Sequence, residues 1–402
     1  MKELGSLMAY EYKKILKRTS SWLALSAVLG LTLFGGVGTL FGSVYVEGEK
    51  VDTHYNMMKK ERNALEELEG QKMDESFFKK VKEKAEKVYS VESNADSQGV
   101  GITPEQWKEN CEFYLPYGRV DELCDKLGTI EETEFYEARN RLLAETYQEE
   151  MLSDKEIKAH MAENQKVGTP FTYGNMLGFE RYFALQYTTG IFLALAVAIC
   201  LAPMFAGEYT ANMDVLVLSS RYGKNKVIWA KLLTGFSFVV LSAIVTFGIQ
   251  LLEIGILYGF SGWNLPVQVS SDGFYLSLPV TMLGMLGISL GCGILAVSMT
   301  AGFVMFCSAK MKTPFGVIIL SFIFIVAPVF LIYAATGCRY LYMFVNSLPT
   351  SMMSSWAVAA DQLFSIGGRC FYFFQVIPVV YLCLMAGLSV FSYRSFKNHQ
   401  PG

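Results

Sequence analysis

The sequence predicts an all-α polytopic membrane protein with six transmembrane helices, an N-terminal amphipathic interfacial helix and a mainly helical extracellular domain inserted after the first span. Of the 402 residues, 52% are apolar and only 18% are charged, whereas about a quarter of a typical soluble chain is charged. Six charge-free apolar runs are each long enough to cross a hydrocarbon layer about 30 Å thick. The charges concentrate in residues 46–180, which carry a net charge of −12 while the remainder carries +9. This distribution excludes a basic nucleic-acid-binding protein, and no nucleic-acid partner is expected.

The N-terminal segment, residues 1–20, is predicted to form an amphipathic helix on the cytoplasmic face of the membrane. Leu4, Leu7 and Ile15 lie on one side of this helix, and Lys13 and Lys17 lie elsewhere. Such a helix lies along a membrane surface, where anionic lipid attracts its bases, so membrane lipid is an expected partner.

The remaining elements follow from the positions of the apolar runs and the charged segments between them. The spans are predicted at residues 21–45, 182–207, 231–258, 276–309, 314–337 and 371–393. The extracellular domain covers residues 46–180, a cytoplasmic loop covers residues 208–230, and an outer loop covers residues 338–370.

The distribution of Lys and Arg among the short loops predicts the orientation, because bases favour the cytoplasmic side. With the N-terminus inside, thirteen bases fall on the cytoplasmic side, against Arg181, Arg339 and Arg369 outside, when the long insert is set apart. Both termini are therefore predicted to lie in the cytoplasm. The protein is expected in the plasma membrane and is expected to be bacterial.

The extracellular domain carries two capping signals and several candidate cysteine and histidine sites. Thr103 with Gln106, and Ser153 with Glu156, have the spacing of capping boxes, and residues 93–101 are expected to form a loop. The outer cysteines form two candidate disulfide pairs, Cys111 with Cys124 and Cys338 with Cys370. His54 and His160 lack metal-ligand spacing and are expected at the surface.

The loop after the second span contains the most informative pattern in the chain. It opens with a carboxylate, Glu208, at the membrane edge and continues into the apolar residues 215–218. A small-residue turn with Arg221 follows, and Lys231 opens the next span. An apolar stretch between charged flanks is unusual for a solvent-exposed connector, although such charges can also simply anchor helix ends at the interface.

This loop and the order of the spans resemble the membrane subunits of ABC-2 type exporters, in the branch with a large extracellular domain between the first two spans. In that family an acidic residue ends the second span, a short coupling helix lies in the cytosol, and a Ser-x-Arg-like turn precedes a Gly-Lys-Leu-like restart. Glu208, residues 215–218, residues 219–221 and residues 231–233 occupy those positions. The outer loop is similar to the re-entrant outer helices that the family has between its last two spans.

The sequence departs from the family pattern at three points. Ala211-Asn212 replaces the usual glycine-threonine, Ala230 replaces a glycine, and the turn lacks its common proline. The resemblance implies an ATPase-coupling interface made of Glu208, Asn212, Asp214, Val215, Leu216, Leu218, Arg221, Tyr222, Lys224 and Lys231.

The resemblance implies an exporter permease subunit that moves an amphipathic peptide, lipid or drug outward by ATP-driven alternating access. No Walker-type phosphate loop occurs in the sequence, so no catalytic residues and no cofactor are expected on this chain. ATP and Mg²⁺ would bind a cytosolic ABC ATPase dimer, and a second permease copy, identical or related, would complete the assembly. The alternative is a non-transporting membrane subunit that passes ATPase motion to the extracellular domain as a signal.

Overall fold

The computed structural model describes residues 2–97, 101–128, 132–150, 152–335, 337–360 and 362–399, and within these the chain is mostly helical. The helices in chain order are α1 (Lys2–Leu16), α2 (Thr19–Val37), α3 (His54–Glu67), α4 (Glu75–Ser97), α5 (Pro104–Leu127), α6 (Glu132–Glu149), α7 (Asp154–Asn164), α8 (Leu177–Leu201), α9 (Ala206–Thr210), α10 (Asp214–Ser219), α11 (Lys226–Tyr258), α12 (Met282–Lys310), α13 (Pro314–Ala334), α14 (Arg339–Asn346) and α15 (Phe373–Lys397). Three short antiparallel pairs join β1 (Ser43–Val46) to β2 (Glu49–Thr53), β3 (Gln71–Lys72) to β4 (Thr172–Tyr173), and β5 (Phe364–Ile366) to β6 (Arg369–Phe371).

Six of these helices, α2, α8, α11, α12, α13 and α15, are long and apolar enough to cross a membrane, and their number confirms the prediction of six membrane-length helices. Helices α8 and α12 form the centre of the bundle, because 67% of the residues in the most apolar stretch of each are buried. In α2, α13 and α15 only 22% of the residues in the corresponding stretch are buried. The outward faces of these three helices expose large apolar side chains such as Trp22, Leu23, Phe322 and Phe330. Those faces are suited to contact with lipid.

The bundle has two ends, named here by what they carry. Residues 41–176, the inserted region, follow α2 in the sequence. The described residues of this region form the insert end together with those of the segments 259–281 and 335–372. The opposite end, the loop end, carries the loop of residues 202–225 between α8 and α11. Helix α1 packs along α11 at the loop end.

The inserted region is built on α3 to α7, and both capping boxes form as predicted. The Thr103 hydroxyl accepts from the Gln106 backbone N–H while the Gln106 amide oxygen accepts from the Thr103 N–H, and Ser153 and Glu156 make the same reciprocal pair. The loop expected at residues 93–101 begins later than predicted, because α4 continues to Ser97. Residues 98–100 lie outside the described residues.

The fourth membrane-length helix begins later than the sequence suggests. The prediction starts this span at residue 276, whereas α12 begins at Met282, with the Thr281 side chain accepting from the Gly284 N–H. Pro279 disfavours helical backbone at the residue before it. The buried Gln268 amide also donates to the Leu276 and Leu278 carbonyls, so these residues are held in a non-helical segment.

The candidate disulfides are wrong, because all eight cysteines are free thiols. Cys111 and Cys124 lie thirteen positions apart in the one helix α5, which corresponds to roughly 20 Å, whereas a disulfide needs Cα atoms about 4.4–6.8 Å apart. Cys338 and Cys370 are also unbonded. Burial raises the pKa of the Cys124 thiol to about 12, so this thiol is a poor nucleophile.

His160 is a core residue, which corrects its assignment to the surface. Its ring stacks on Tyr147 with centroids 4.6 Å apart, and its Nδ1 lies 2.7 Å from the Ser277 hydroxyl. The contact joins α7 to the segment before α12. His160 was missed because its partner lies 117 residues away in the sequence.

Glu156 links the inserted region to α14, and its removal is expected to loosen this junction. Burial acts to raise the pKa of the Glu156 carboxyl, but hydrogen bonds from Ser153 and the ion pair with Arg339 leave it below the ordinary 4.5. The ionised Glu156 carboxylate therefore stabilises the folded protein fully above about pH 4.5, and this contribution is lost as the pH falls further. Glu156→Gln should lower the unfolding free energy by about 1.5–3 kcal/mol at pH 7 and flatten the acid dependence of thermal unfolding.

A matched control for this prediction lies on the same helix. Glu163 pairs with Lys166 at a more exposed position, so Glu163→Gln should leave both the unfolding temperature and its pH dependence close to wild type. Equal effects of the two substitutions would contradict a specific role for the Glu156–Arg339 pair.

Candidate functional site

The loop end of the bundle is shaped by a hydroxyl on α12 that fixes the corner between α8 and α9. The Ser308 Oγ donates to the Ala202 carbonyl at 2.7 Å and accepts from the Phe205 and Ala206 N–H groups at 3.0 Å. These bonds satisfy backbone groups that the interruption after α8 leaves unpaired. The corner is therefore attached directly to α12 through the Ser308 side chain.

Asn212 turns the chain from α9 into α10. Its φ of 51° lies in the left-handed region, which Asn tolerates better than most residues. The Met213 N–H then returns to the Glu208 carbonyl at 2.9 Å. The Asn212 turn thus sets the direction in which the short helix α10 leaves the bundle.

A cluster of four charges, three of them buried and Lys14 half-buried, lies at the base of this loop. The Lys231 Nζ on α11 donates to the Glu208 carboxylate at 2.7 Å, to the Glu11 carboxylate at 3.1 Å and to the Met204 carbonyl at 2.9 Å. The Lys14 Nζ donates to the same two carboxylates, at 3.1 Å to Glu11 and 3.0 Å to Glu208. Lys231 is fully buried. Two positive and two negative charges thus compensate one another where α1, α9 and α11 meet.

The cluster joins residues that sequence reasoning found and residues that it missed. Glu208 and Lys231 are both predicted site residues, and the structure brings them into direct contact. Glu11 and Lys14 were missed, although Glu11 falls in the apolar stripe between Met8 and Ile15. An acid within an apolar stripe is the signal that points to a buried pair.

Helix α10 has one exposed face and one buried face. Val215 and Leu216 are 48% and 62% exposed, whereas Asp214 and Leu218 are buried. Of the predicted interface residues, Val215 and Leu216 are therefore available to a partner, and Asp214 and Leu218 hold the helix against the bundle. Met213 adds to the exposed apolar surface. These three exposed residues, Met213, Val215 and Leu216, are called the α10 apolar face below.

The end of the loop is tied to the start of α1. The Tyr222 hydroxyl donates to the Glu3 carboxylate at 3.0 Å, and Lys226 forms an ion pair with the same carboxylate. These bonds hold the pKa of Glu3 below its ordinary value. The Arg221 guanidinium lies 5.3 Å from the centre of the Tyr222 ring, and the Lys224 side chain is exposed. Helix α1 therefore contacts both ends of the loop.

Gly223 allows the turn to approach α10 closely, and substituting it is expected to displace the loop. A Cβ at Gly223 would overlap the Val217 carbonyl oxygen, which belongs to the α10 backbone. Gly223→Ala should therefore push the turn away and speed tryptic cleavage after the exposed Arg221 and Lys224. Gly5→Ala in α1 is the control, since a Cβ there meets open space. Equal cleavage rates in both variants would contradict this packing.

Glu253, near the end of α11, packs on α2. A Cβ at Gly36 would overlap its carboxyl group, and its Oε2 atom is buried without a hydrogen-bond partner. The nearby Arg181 guanidinium donates to the Gly35 carbonyl at 2.6 Å. A larger residue at position 36 would therefore require the Glu253 carboxyl group to move.

The described ranges contain no group of three or more His, Cys, Asp or Glu side chains placed to hold a metal ion. The chemistry at the loop end is instead that of a binding surface supported by a charged cluster. No protein-family model matches the chain, and a search of curated proteins gives no match either.

Proposed function

We propose that this chain is the membrane-spanning permease subunit of an ATP-binding cassette exporter. It would move an amphipathic substrate, a peptide, lipid or drug, outward by alternating access driven by a separate ATPase. The observation that carries the proposal is the α10 apolar face, which projects from the loop end while the four-charge cluster holds the base of the same loop. An exposed apolar face on a rigid support is suited to receive a protein partner.

The cluster supports transmission of force from α10 into the bundle. Glu208 belongs to α9, six residues before the first residue of α10, and its carboxylate is bonded to α11 and α1. Because the buried charges Lys231, Glu11 and Glu208 lose much free energy when separated from their partners, we expect the three helices to move together. A partner that shifts α10 would therefore shift the start of α11 as well.

The partner that we propose for this surface is a cytosolic ABC ATPase dimer, which would bind ATP and Mg²⁺. A dimeric ATPase requires a second permease copy, identical or related, to present a second α10. The loop end would face the cytoplasm of a bacterial plasma membrane, since most of the bases outside the inserted region lie at that end. Helix α1 would then lie at the cytoplasmic surface and the inserted region would be extracellular.

An activity measurement on the native complex tests this proposal. The tagged chain, purified in mild detergent from the cells that carry it, should co-purify a vanadate-sensitive ATPase activity with a near-equimolar second polypeptide that has a Walker A motif. ATP hydrolysis no higher than in a mock purification, from a chain that remains folded, would contradict the proposal.

A second candidate function, signalling through the inserted region, is favoured by one contact at the insert end. Arg139 on α6 is buried between the Phe171 and Phe274 rings, each 5.5 Å from its guanidinium carbon. It donates to the Phe274 and Leu276 carbonyls at 3.0 and 2.8 Å. Burial lowers the pKa of Arg139 to about 10. This contact would pass motion of α12 to the inserted region.

The two functions differ in how the ATPase responds to substrate. In nanodiscs, an exporter should show ATP hydrolysis that changes with at least one class among amphipathic peptides, lipids and hydrophobic drugs. A signalling subunit should show hydrolysis indifferent to all three, together with a cellular response that Arg139→Met abolishes without lowering ATP hydrolysis.

A further inference from the structure

The end of α15 packs directly on the loop between α8 and α11. The Phe396 ring is fully buried and lies 5.1 Å from the Phe205 ring and 5.7 Å from the Tyr209 ring, measured between centroids. Two residues later the chain leaves the helix, and the His399 ring lies 4.3 Å from that of Tyr209. A span that is distant in sequence therefore covers α9.

The same segment provides a polar partner for α10. The His399 Nε2 lies 3.3 Å from the Asp214 Oδ2, and the Asp214 side chain is only 7% exposed. A carboxylate removed from water requires a hydrogen bond or an opposite charge, and the imidazole supplies one. Asp214 is the first residue of α10, so this contact fixes the helix where it begins.

Further hydrogen bonds join this segment and α9 to α12, and join the segment to the end of the loop. The Ser395 hydroxyl and the Tyr209 hydroxyl both donate to the Ala309 carbonyl at 3.0 Å. The Tyr393 hydroxyl donates to the Lys224 carbonyl at 3.1 Å, at the other end of the loop. Residues 393–399, the α15 clamp, thus contact the loop at its start, at α10 and near its end.

We infer that the α15 clamp is a positioning element for α10, and that His399 is the positioning residue that acts through Asp214 and Tyr209. The four-charge cluster connects the loop to α1 and α11, whereas the clamp connects it to α12 and α15. A force applied to α10 would therefore be transmitted to α15, the sixth membrane-length helix, as well as to α11, the third. The structural part of this inference stands by itself, and its consequence for ATPase coupling rests on the proposed function.

Hydrogen exchange of the loop in nanodiscs tests the structural part without any ATPase. His399→Ala should raise the exchange rates of amides 209–222 by about tenfold, because local opening becomes easier. Asp214→Asn should do the same from the other side of the contact. The exchanged pair Asp214→His with His399→Asp should restore slow exchange, and His54→Ala in the inserted region is the matched control. Unchanged exchange in both single variants, or no recovery in the exchanged pair, would overturn the inference.

A second measurement separates the inference from the proposed function. In the purified ATPase complex, His399→Ala should reduce the response of ATP hydrolysis to reconstituted permease at least threefold, and the exchanged pair should recover it. If the exchange rates change as expected but no ATPase is bound by the wild-type chain, the positioning role of the α15 clamp is confirmed and the exporter proposal fails. If an ATPase is coupled normally while His399→Ala alters neither measurement, the positioning role of the α15 clamp is refuted and the exporter proposal is retained.

Discussion

Lys231→Met is expected to lower the unfolding free energy by about 3–5 kcal/mol, the largest effect of any single substitution at the loop end. The substitution leaves Glu11 and Glu208 buried and removes one of the two cations that form ion pairs with them, so that only Lys14 remains in direct contact. Met has a similar length and no charge, so lost packing contributes little to the difference. SDS titration in mixed micelles, followed by the reactivity of the buried Cys200 and Cys307 thiols, measures the change.

Two further variants determine whether charge is the cause. Lys226→Met lies on the same helix but removes an exposed pair with Glu3, so it should change the titration midpoint little. Lys231→Met combined with Glu11→Gln leaves the neutral pair Lys14–Glu208 and should recover much of the lost stability. A Lys231→Met protein as stable as wild type would refute the compensating role of the cluster.

Leu216→Asp is expected to abolish ATPase coupling while leaving the protein inserted and folded. Leu216 is 62% exposed, and surface substitutions of this kind usually change stability by no more than about 0.5 kcal/mol. A charge placed in the centre of a docked apolar face instead costs at least about 2 kcal/mol of binding free energy, which is roughly 30-fold in affinity. ATP hydrolysis by the purified complex should fall accordingly.

The control for this substitution is an equally exposed aliphatic residue at the other end of the molecule. Ile366 in β5 is 55% exposed, and Ile366→Asp should retain full ATPase coupling. A Leu216→Asp protein that binds and stimulates its ATPase like wild type would count against α10 as the docking element.

The sequence was sufficient for the membrane-length helices and for part of the site. Apolar runs set the positions of six long helices because length and composition alone decide whether a helix can span a membrane. Glu208 and Lys231 were recognised from their places at the two ends of one loop, and they lie 2.7 Å apart. Local pattern is informative here because both residues belong to the same connection.

The remaining contacts could not be read from the sequence, because their partners are distant along the chain. Glu11 and Lys14 are separated from Glu208 by about 200 residues, and no periodicity links a helix near the beginning to this loop. His399 was missed for the same reason. Asp214 was expected in the interface yet is buried, because the helix face it occupies is decided by the packing of α15.

Site-specific photo-crosslinking at position 216 is the most direct test of whether an ATPase docks on α10. With a photoreactive amino acid at this position, irradiation of native membranes should give one dominant protein adduct, with the ATPase chain that carries the Walker A motif. ATP with vanadate should change the yield, and the same probe at position 366 should give no such adduct. Adducts with lipid alone at position 216, from a chain that is folded and inserted, would contradict the docking of an ATPase on α10.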